Sequence, residues 1–390
     1  MIEVTAKLVR GPVYLAGESV ECYITFSNTP APIHKRSQSN SDAFESLAWA
    51  SAQIHCQCTT NSKVSYPDGN LFTAEEMSTA NTDTSFAPCR GERGHVVLST
   101  KPRILFCDLR LSTGESKSYL YSEVLPSEAP PSYRGQAVKY SYKITIGMQR
   151  VNCPIKLLRV PLRVLVVSGF QDASLCGDSE ELAPSNPFLQ IQQKETPFDL
   201  AMQALQNLTA KRSPNFYNIT KSQGKVVRFC LFKQAYKLGE DIVGTFDFSE
   251  ATVPCVQFSV VLQSEEEIAP GCRRWAKQSP AVVSYTKYHE VCLSLKHSQL
   301  ILPIPLHITP GFTTDLVTLQ WRLHFEFVTS DTQMIHELPS SDLENGNVWR
   351  GPPTLNIETM VWNLPIKIYP TTPLQISQGL QTQLKHRLAV

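Results

Sequence analysis

The sequence has little net charge and no strongly basic segment. It contains 36 lysine and arginine residues against 35 aspartate and glutamate residues, so its formal net charge is +1, and only 18% of its residues are charged. Proteins that bind nucleic acid through the phosphate backbone need a basic patch or stripe, because much of the affinity comes from neutralising phosphates. We therefore expect no nucleic-acid partner.

Long hydrophobic runs are also missing. No apolar stretch approaches the roughly 20 residues that a membrane-spanning helix requires. Residues 1–6 do not begin the charged and then apolar pattern of a secretion signal. These features predict an intracellular protein without a membrane span.

The cysteines lack the paired spacing of a metal or disulfide framework. There are 11 of them, an odd number, and most fall in strand-like segments where free thiols behave as small buried hydrophobes. The strongest metal candidate is His-Cys-Gln-Cys at 55–58, with Cys89 and His95 further along. Cys-x-Cys is not zinc-ribbon spacing, and Cys56 and Cys58 share one face of a strand. We therefore predict buried thiols, a reducing compartment and no metal site.

Short catalytic motifs are absent as well. The sequence contains no Gly-x-Ser-x-Gly, no phosphate-binding Gly-x-x-x-x-Gly-Lys-(Ser/Thr) and no His-Glu-x-x-His. Two His-Glu pairs, at 289–290 and 336–337, lack the second histidine. We expect no catalytic residue and no cofactor.

What the sequence does contain is an internal duplication. Residues 13–28 and 235–250 align without gaps, and the alignment pairs Tyr14 with Tyr236 and a Gly-Glu turn with a second Gly-Glu turn. After each turn, apolar and polar residues alternate, which predicts a half-buried strand. Two further pairs of segments follow in the same order: 131–146 with 310–325, and 160–164 with 364–368.

Regular short strands separated by turn residues predict an all-β protein with two tandem antiparallel β-sandwiches. The first sandwich spans 1–168 and carries long polar inserts at about 29–48 and 59–98, which we interpret as mobile surface loops. A linker covers 169–222, the second sandwich covers 223–370, and 371–390 is a frayed tail.

The linker also contains a predicted helix at about 197–211. Thr196 is a suitable N-cap residue, and Pro197 occupies the first helical position. The apolar residues Phe198, Ala201, Leu205 and Leu208 then recur at helical spacing. This stripe predicts that the helix packs on one of the sandwiches, with partner binding as the alternative.

Two sandwiches that each open on a Tyr-x-x-Gly-Glu strand resemble the arrestin fold. More closely, the whole chain resembles the retrograde Golgi transport protein (Rgp) family, and the residues that carry this match lie at 224–249, 13–26 and 125–142. The block at 224–249 is the most specific of the three.

The resemblance implies a non-catalytic subunit of a two-protein guanine-nucleotide exchange complex for a Golgi Rab GTPase. It implies a larger, propeller-containing partner subunit and a role in retrograde transport from endosomes. It also implies a cytosolic protein that is recruited peripherally to Golgi membranes through the complex. The resemblance assigns no role to the inserts between 29 and 98.

The same fold leaves an alternative function open, that of an arrestin-related cargo adaptor. Such adaptors usually carry Pro-Pro-x-Tyr motifs that bind ubiquitin ligases, and the one match here is Pro-Pro-Ser-Tyr at 130–133. It coincides with the duplicated turn, which favours a structural role. Asn186-Pro187-Phe188 matches a tripeptide that endocytic adaptor domains bind, with an ordinary turn as the alternative.

One cluster stands out as a candidate for partner binding. Arg273, Arg274 and Trp275 follow an acidic run at 265–267, and together they could contact a charged partner surface. Charge runs of this kind are more often simply solvated.

Overall fold

The computed structural model describes residues 1–29, 44–65, 86–167, 197–222, 224–293, 295–330, 355–379 and 385–389. These residues form β-strands with few helices, which confirms the all-β prediction. No helix in these ranges is both long and apolar enough to cross a membrane.

Ten strands precede the linker. They are β1 (Ile2–Leu8), β2 (Val13–Leu15), β3 (Ser19–Asn28), β4 (Glu45–Thr60), β5 (His95–Ser99), β6 (Arg103–Leu111), β7 (Ser116–Val124), β8 (Tyr133–Arg134), β9 (Val138–Gln149) and β10 (Lys156–Leu165). After them come helix α1 (Pro197–Ala210) and strands β11 (Asn215–Lys221), β12 (Gly224–Leu231), β13 (Ala235–Lys237), β14 (Asp241–Asp247), β15 (Cys255–Ile268), β16 (Ala281–Val291), β17 (His297–Pro303), β18 (Phe312–Thr313), β19 (Val317–Ser330) and β20 (Ile357–Tyr369). Helix α2 (Pro373–Gly379) and strand β21 (Lys385–Ala389) end the described chain.

The two halves share one topology. In the first half, a four-stranded sheet with the order β21-β1-β3-β7 accompanies a seven-stranded sheet with the order β2-β10-β9-β4-β5, in which β6 also pairs with β4 and β8 with β9. The second half repeats this arrangement as β11-β12-β14-β17 and β13-β20-β19-β15-β16, with β18 on β19. Even the short parallel pair recurs, as β2 with β10 and β13 with β20. This shared topology confirms the duplication.

The alternating pattern of the duplicated strand places its apolar side chains in the core. Val20, Cys22, Ile24 and Phe26 are all fully buried on β3. On β14, Gly244 takes the place of Cys22, because a Cβ there would lie 2.7 Å from the Phe229 ring. The second core contains a cluster of phenylalanine rings in mutual contact, which includes Phe229, Phe246, Phe258, Phe325 and Phe327.

The sandwiches meet across a polar and aromatic junction. The buried carboxylate of Glu266 on β15 accepts backbone hydrogen bonds from Gln136, Ala137 and Val138 at 2.6 to 3.2 Å. Beside it, the rings of Tyr133 and Phe312 pack edge to face with centroids 5.0 Å apart. The first core continues into residues of the second half, because Phe312 packs within it.

Helix α1 confirms the predicted linker helix and packs on the second sandwich. Leu205 is buried and Met202 packs against the second core. Lys233 donates a hydrogen bond from Nζ to the Thr209 carbonyl oxygen at 3.2 Å. The prediction was wrong for Leu208, which is 58% exposed because it lies on the outer side of the helix.

The predicted tail and inserts need correction. Instead of fraying after residue 371, the chain forms α2 and then β21, which pairs antiparallel with β1 and completes the first four-stranded sheet. The inserts are shorter than predicted, because β4 runs from Glu45 to Thr60 and residues 86–94 pack on the sheet. Residues 30–43 and 66–85 lie outside the described part of the chain.

Candidate functional site

A groove of about 1020 Å³ lies between the two helices and the first sandwich. We call it the helix groove. Its floor is formed by the loop before β2 and by β2 itself, and its walls are formed by α1 and α2. The residues that line it include Val9, Arg10, Gly11, Tyr14, Glu18, Met202, Leu205, Gln206, Lys237, Leu374, Gln375 and Gln378.

The duplication explains why a groove opens beside the first copy of the turn. In the second copy, the Lys233 ammonium lies 5.0 Å from the Tyr236 ring centroid and 2.7 Å from a Glu240 carboxylate oxygen. Position 11 of the first copy, which aligns with Lys233, is a glycine with φ of 105°. The first copy therefore lacks the side chain that covers the second.

The hydroxyl groups of the paired tyrosines, Tyr14 and Tyr236, differ in their hydrogen bonding. Tyr236 donates a hydrogen bond to the Lys233 carbonyl oxygen at 2.6 Å. The Tyr14 hydroxyl is buried and has no hydrogen-bond partner among the described residues. Burial raises the pKa of Tyr14, so the hydroxyl keeps its proton and is a potential hydrogen-bond donor at the floor of the helix groove.

Both glutamates of the duplicated turn have a structural role. Glu18 accepts a hydrogen bond from the Leu15 amide at 2.7 Å, and Glu240 accepts one from the Lys237 amide at 2.8 Å. The glycine before each glutamate has a φ near 90°, a conformation that L side chains rarely adopt. Burial raises the pKa of Glu18.

Cationic side chains outnumber acidic ones in the helix groove. Arg10 and Lys237 both line it, and neither side chain forms a hydrogen bond or an ion pair with another described residue. Glu18 is the one acidic side chain in the lining. The lining thus carries one excess positive charge beside exposed apolar side chains such as Val9 and Leu374.

The predicted partner-binding cluster is largely occupied by internal contacts. Arg273 hydrogen-bonds the Ile268 carbonyl oxygen at 2.8 Å and pairs with the Glu267 carboxylate at 2.5 Å. Arg274 donates to the Ser62 carbonyl oxygen at 3.2 Å. Trp275 remains available to a partner, with 55% of its surface exposed. The Arg274 side chain therefore helps to join the sandwiches, whereas the Arg273 side chain is held within the second one.

The ligase-binding motif of the cargo-adaptor alternative is also part of the junction. The Ser132 amide donates a hydrogen bond to the Val164 carbonyl oxygen at 2.7 Å, and the Ser132 hydroxyl oxygen accepts one from the Val164 amide at 2.9 Å. Burial raises the pKa of Tyr133, whose ring packs on Phe312. A tetrapeptide held in this way is not free to bind a ligase. The tripeptide at 186–188 lies outside the described residues.

A second polar cluster lies on the outer face of the seven-stranded sheet, under the segment 86–94. Strand alternation turns Cys56 and Cys58 into the core, where both are fully buried, as predicted. His55 points to the opposite face and meets Cys89 and Glu92. The sequence cluster thus separates into two groups, and Glu92 was missed because no local pattern connects it with His55.

The ionisation of this second cluster follows from its burial and its two cations. Burial lowers the pKa of His55 and raises the pKa of the Cys89 thiol to about 11. Burial alone would raise the pKa of Glu92, but Lys143 and Arg159 hold it below its ordinary value. His55 is therefore neutral, Cys89 is a thiol and Glu92 is a carboxylate at neutral pH.

Comparison with known proteins extends over nearly the whole chain. A family model described as Rgp1 matches residues 6–173 and 177–330. RAB6A-GEF complex partner protein 2 of Homo sapiens is 50% identical over 382 residues, which cover 96% of this chain and 96% of that protein. The Bos taurus protein of the same name is 50% identical over 376 residues, 94% of this chain and 93% of that protein. The chain belongs to the Rgp1 family.

Proposed function

We propose that this chain is the non-catalytic subunit of a two-protein guanine-nucleotide exchange complex for a Rab GTPase. The observation that carries the proposal is 50% identity across 96% of both this chain and the human RAB6A-GEF complex partner protein 2. The aligned region includes both sandwiches and the linker, so the two proteins present their contact surfaces on the same scaffold.

Nucleotide exchange suits a protein that offers contact surface instead of reactive groups. An exchange factor binds the nucleotide-free GTPase more tightly than the nucleotide-loaded form, and so shifts the GTPase population towards the nucleotide-free state. This requires no nucleophile. The half-buried Cys89 would be a poor nucleophile, because its pKa is raised and the thiolate is the reactive form.

The setting of this activity is part of the same proposal. The chain has an arrestin-like fold, resides in the cytosol and reaches Golgi membranes peripherally through its complex. There the complex serves retrograde transport from endosomes. Its other subunit is a larger, propeller-containing protein.

We assign the helix groove to an acidic segment of that larger subunit. Arg10 and Lys237 supply two cations that form no hydrogen bond or ion pair with another described residue. Val9 and Leu374 add exposed apolar surface at the rim. Donors combined with apolar surface favour a segment that carries both carboxylates and hydrophobic side chains.

The function is tested by producing the chain with and without the larger subunit and measuring fluorescent GDP release from the Rab. We expect a stoichiometric complex that accelerates release, and no acceleration by this chain alone. Acceleration by the chain alone, or the lack of a stable complex, would contradict the proposal.

The groove assignment is tested with the double variant Arg10→Glu and Lys237→Glu. We expect affinity for the larger subunit to fall by about tenfold or more, with a smaller difference at high salt. The matched control changes two exposed lysines elsewhere, Lys101→Glu and Lys287→Glu, and so alters net charge equally. Equal losses in both double variants would show a general charge effect and refute the assignment.

A further inference from the structure

We propose that His55, Cys89 and Glu92 bind a zinc ion that fastens the segment 86–94 to the outer face of the first sandwich. This inference departs from the sequence prediction of no metal site. It is independent of the exchange function, because the exchange proposal assigns no role to these three residues.

The geometry brings three different donor atoms together. The His55 imidazole, the Cys89 sulfur and a Glu92 carboxylate oxygen all lie within 4.8 Å of one another. Bonds to zinc of about 2.0 to 2.3 Å place donor atoms roughly 3.3 to 3.8 Å apart in a tetrahedral site. His55 Nε2 and Glu92 Oε2 are already 3.6 Å apart, and no pair of donors needs to approach by more than about 1.5 Å to match that geometry. The segment that carries Cys89 and Glu92 is a loop, so it can make this adjustment.

Unpartnered polar atoms point to a ligand at this position. His55 is 0% exposed, and neither of its ring nitrogens has a hydrogen-bond partner among the residues that the structure describes. The nearest Glu92 oxygen, Oε2, lies 3.6 Å from Nε2, beyond hydrogen-bond distance, and is itself buried without a partner. Buried polar groups are nearly always satisfied, so two such side chains facing each other require an explanation.

Further unpartnered atoms belong to the same face of the sheet. Gln57 Nε2 and Thr145 Oγ1 are also buried without hydrogen-bond partners in the described part of the chain, and both lie on the outer side of the central strands. Most of the buried unpartnered side-chain atoms in the described chain are thus concentrated around this one cluster.

The two neighbouring cations are compatible with a metal because they engage the other oxygen of the carboxylate. Lys143 contacts Glu92 Oε1, and Arg159 Nε lies 3.4 Å from the same atom. Oε2 is thereby left to face His55. Carboxylate ligands are commonly held by such outer contacts, which fix their orientation. Both cations are also partly exposed to solvent, which weakens their repulsion of a metal.

The donor set is typical of zinc. Imidazole nitrogen, thiolate sulfur and carboxylate oxygen are its usual ligands, whereas calcium and magnesium take oxygen alone. On binding, the Cys89 thiol releases its proton to solvent and the thiolate sulfur bonds the ion. Three protein ligands leave a fourth position for water, and the partial exposure of Cys89 and Glu92 allows water to enter.

Metal binding would add to contacts that already hold the segment. Arg159 donates to the Arg90 carbonyl oxygen at 2.5 Å and to the Pro88 carbonyl oxygen at 3.3 Å. Phe86 lies over Gly147, where a Cβ would be 2.3 Å from its ring. The zinc would fix the stretch between these contacts and β5.

The test is metal analysis of the full chain, purified with its larger subunit and alone, followed by titration of the metal-free protein with Zn²⁺ and Co²⁺. We expect one zinc per chain, and a cobalt form with the near-ultraviolet absorption band of a thiolate ligand. Cys89→Ser and His55→Gln should each lower zinc affinity by at least tenfold, because each removes one ligand. Cys107→Ser, which changes an exposed cysteine elsewhere, should leave affinity unchanged.

The wild-type cobalt spectrum keeps the test decisive even if the His55 variant does not fold. Absence of a thiolate band, or zinc retained at full affinity in Cys89→Ser, would overturn the proposal. As a second readout, we expect removal of zinc by a chelator to speed proteolysis between 86 and 94 by at least tenfold. Unchanged proteolysis would also contradict the proposed fastening role.

Discussion

Replacement of Glu266 tests the junction between the two sandwiches. The side chain is 3% exposed, and its carboxylate accepts hydrogen bonds from three consecutive amides of the other sandwich, Gln136, Ala137 and Val138. Glu266→Ala leaves the two buried amides of Ala137 and Val138 and the part-buried amide of Gln136 without an acceptor, at about 1 to 3 kcal/mol for each buried donor. Because the turn can relax towards water, we expect a total loss of about 3 to 5 kcal/mol in the free energy of unfolding.

The measurements are a denaturant titration and amide hydrogen exchange. Exchange at residues 136–138 should accelerate in Glu266→Ala. Glu266→Gln keeps one acceptor oxygen but loses the charge, and should cost about 1 to 3 kcal/mol. The matched control is Glu267→Ala, whose half-exposed side chain pairs with Arg273 and should contribute about 1 kcal/mol or less. If Glu266→Ala and Glu267→Ala are equally stable, the reasoning about the junction is wrong.

Three further predictions concern the core, the acid response and the terminal strand. Phe246→Ala should lower the free energy of unfolding by about 3 to 5 kcal/mol in a denaturant titration, because the ring packs 4.3 Å from Phe258. Hydrogen bonds from Ser249 lower the pKa of Asp247 in the folded chain. The stability that the Asp247 carboxylate contributes should therefore be present above its unfolded pKa of about 4, and it should be lost as the pH falls through the lower folded pKa. In a pH series, the melting temperature of Asp247→Asn should therefore fall less on acidification than that of the unchanged chain. Truncation after Pro370 removes the strand that pairs with β1, so light scattering should reveal self-association through the exposed edge.

Much of the fold followed from patterns within short segments. The alternation at Val20, Cys22 and Ile24 identified a strand and its buried face, and the proline at 197 marked the start of α1. Such signals are local, because side-chain direction alternates along a strand and helix caps involve a few adjacent residues.

The short and edge elements were harder to predict. β2 and β13 contain three residues each, too few for a periodic pattern, and they exist because they pair with β10 and β20. β1 was missed although its burial alternates and a Gly-Pro turn follows it at 11–12. β21 forms only by pairing with β1, at the other end of the chain.

The candidate sites also combine features that the sequence shows with features that depend on tertiary contacts. The duplicated Gly-Glu turn was recognisable from sequence, but the groove beside Tyr14 depends on α1 and α2 packing from distant parts of the chain. Arg273 and Arg274 looked available to a partner until the fold placed backbone acceptors next to them.

The sequence alone determined that this protein is a duplicated β-sandwich of the Rgp1 family without a catalytic motif, because repeats, periodicity and identity are properties of the order of residues. Tertiary structure alone decided that Glu266 joins the sandwiches and that His55 meets Cys89 and Glu92. The physical reason is that a contact between distant residues depends on the path of the chain and on which face of each strand is covered, and neither is encoded within a short segment.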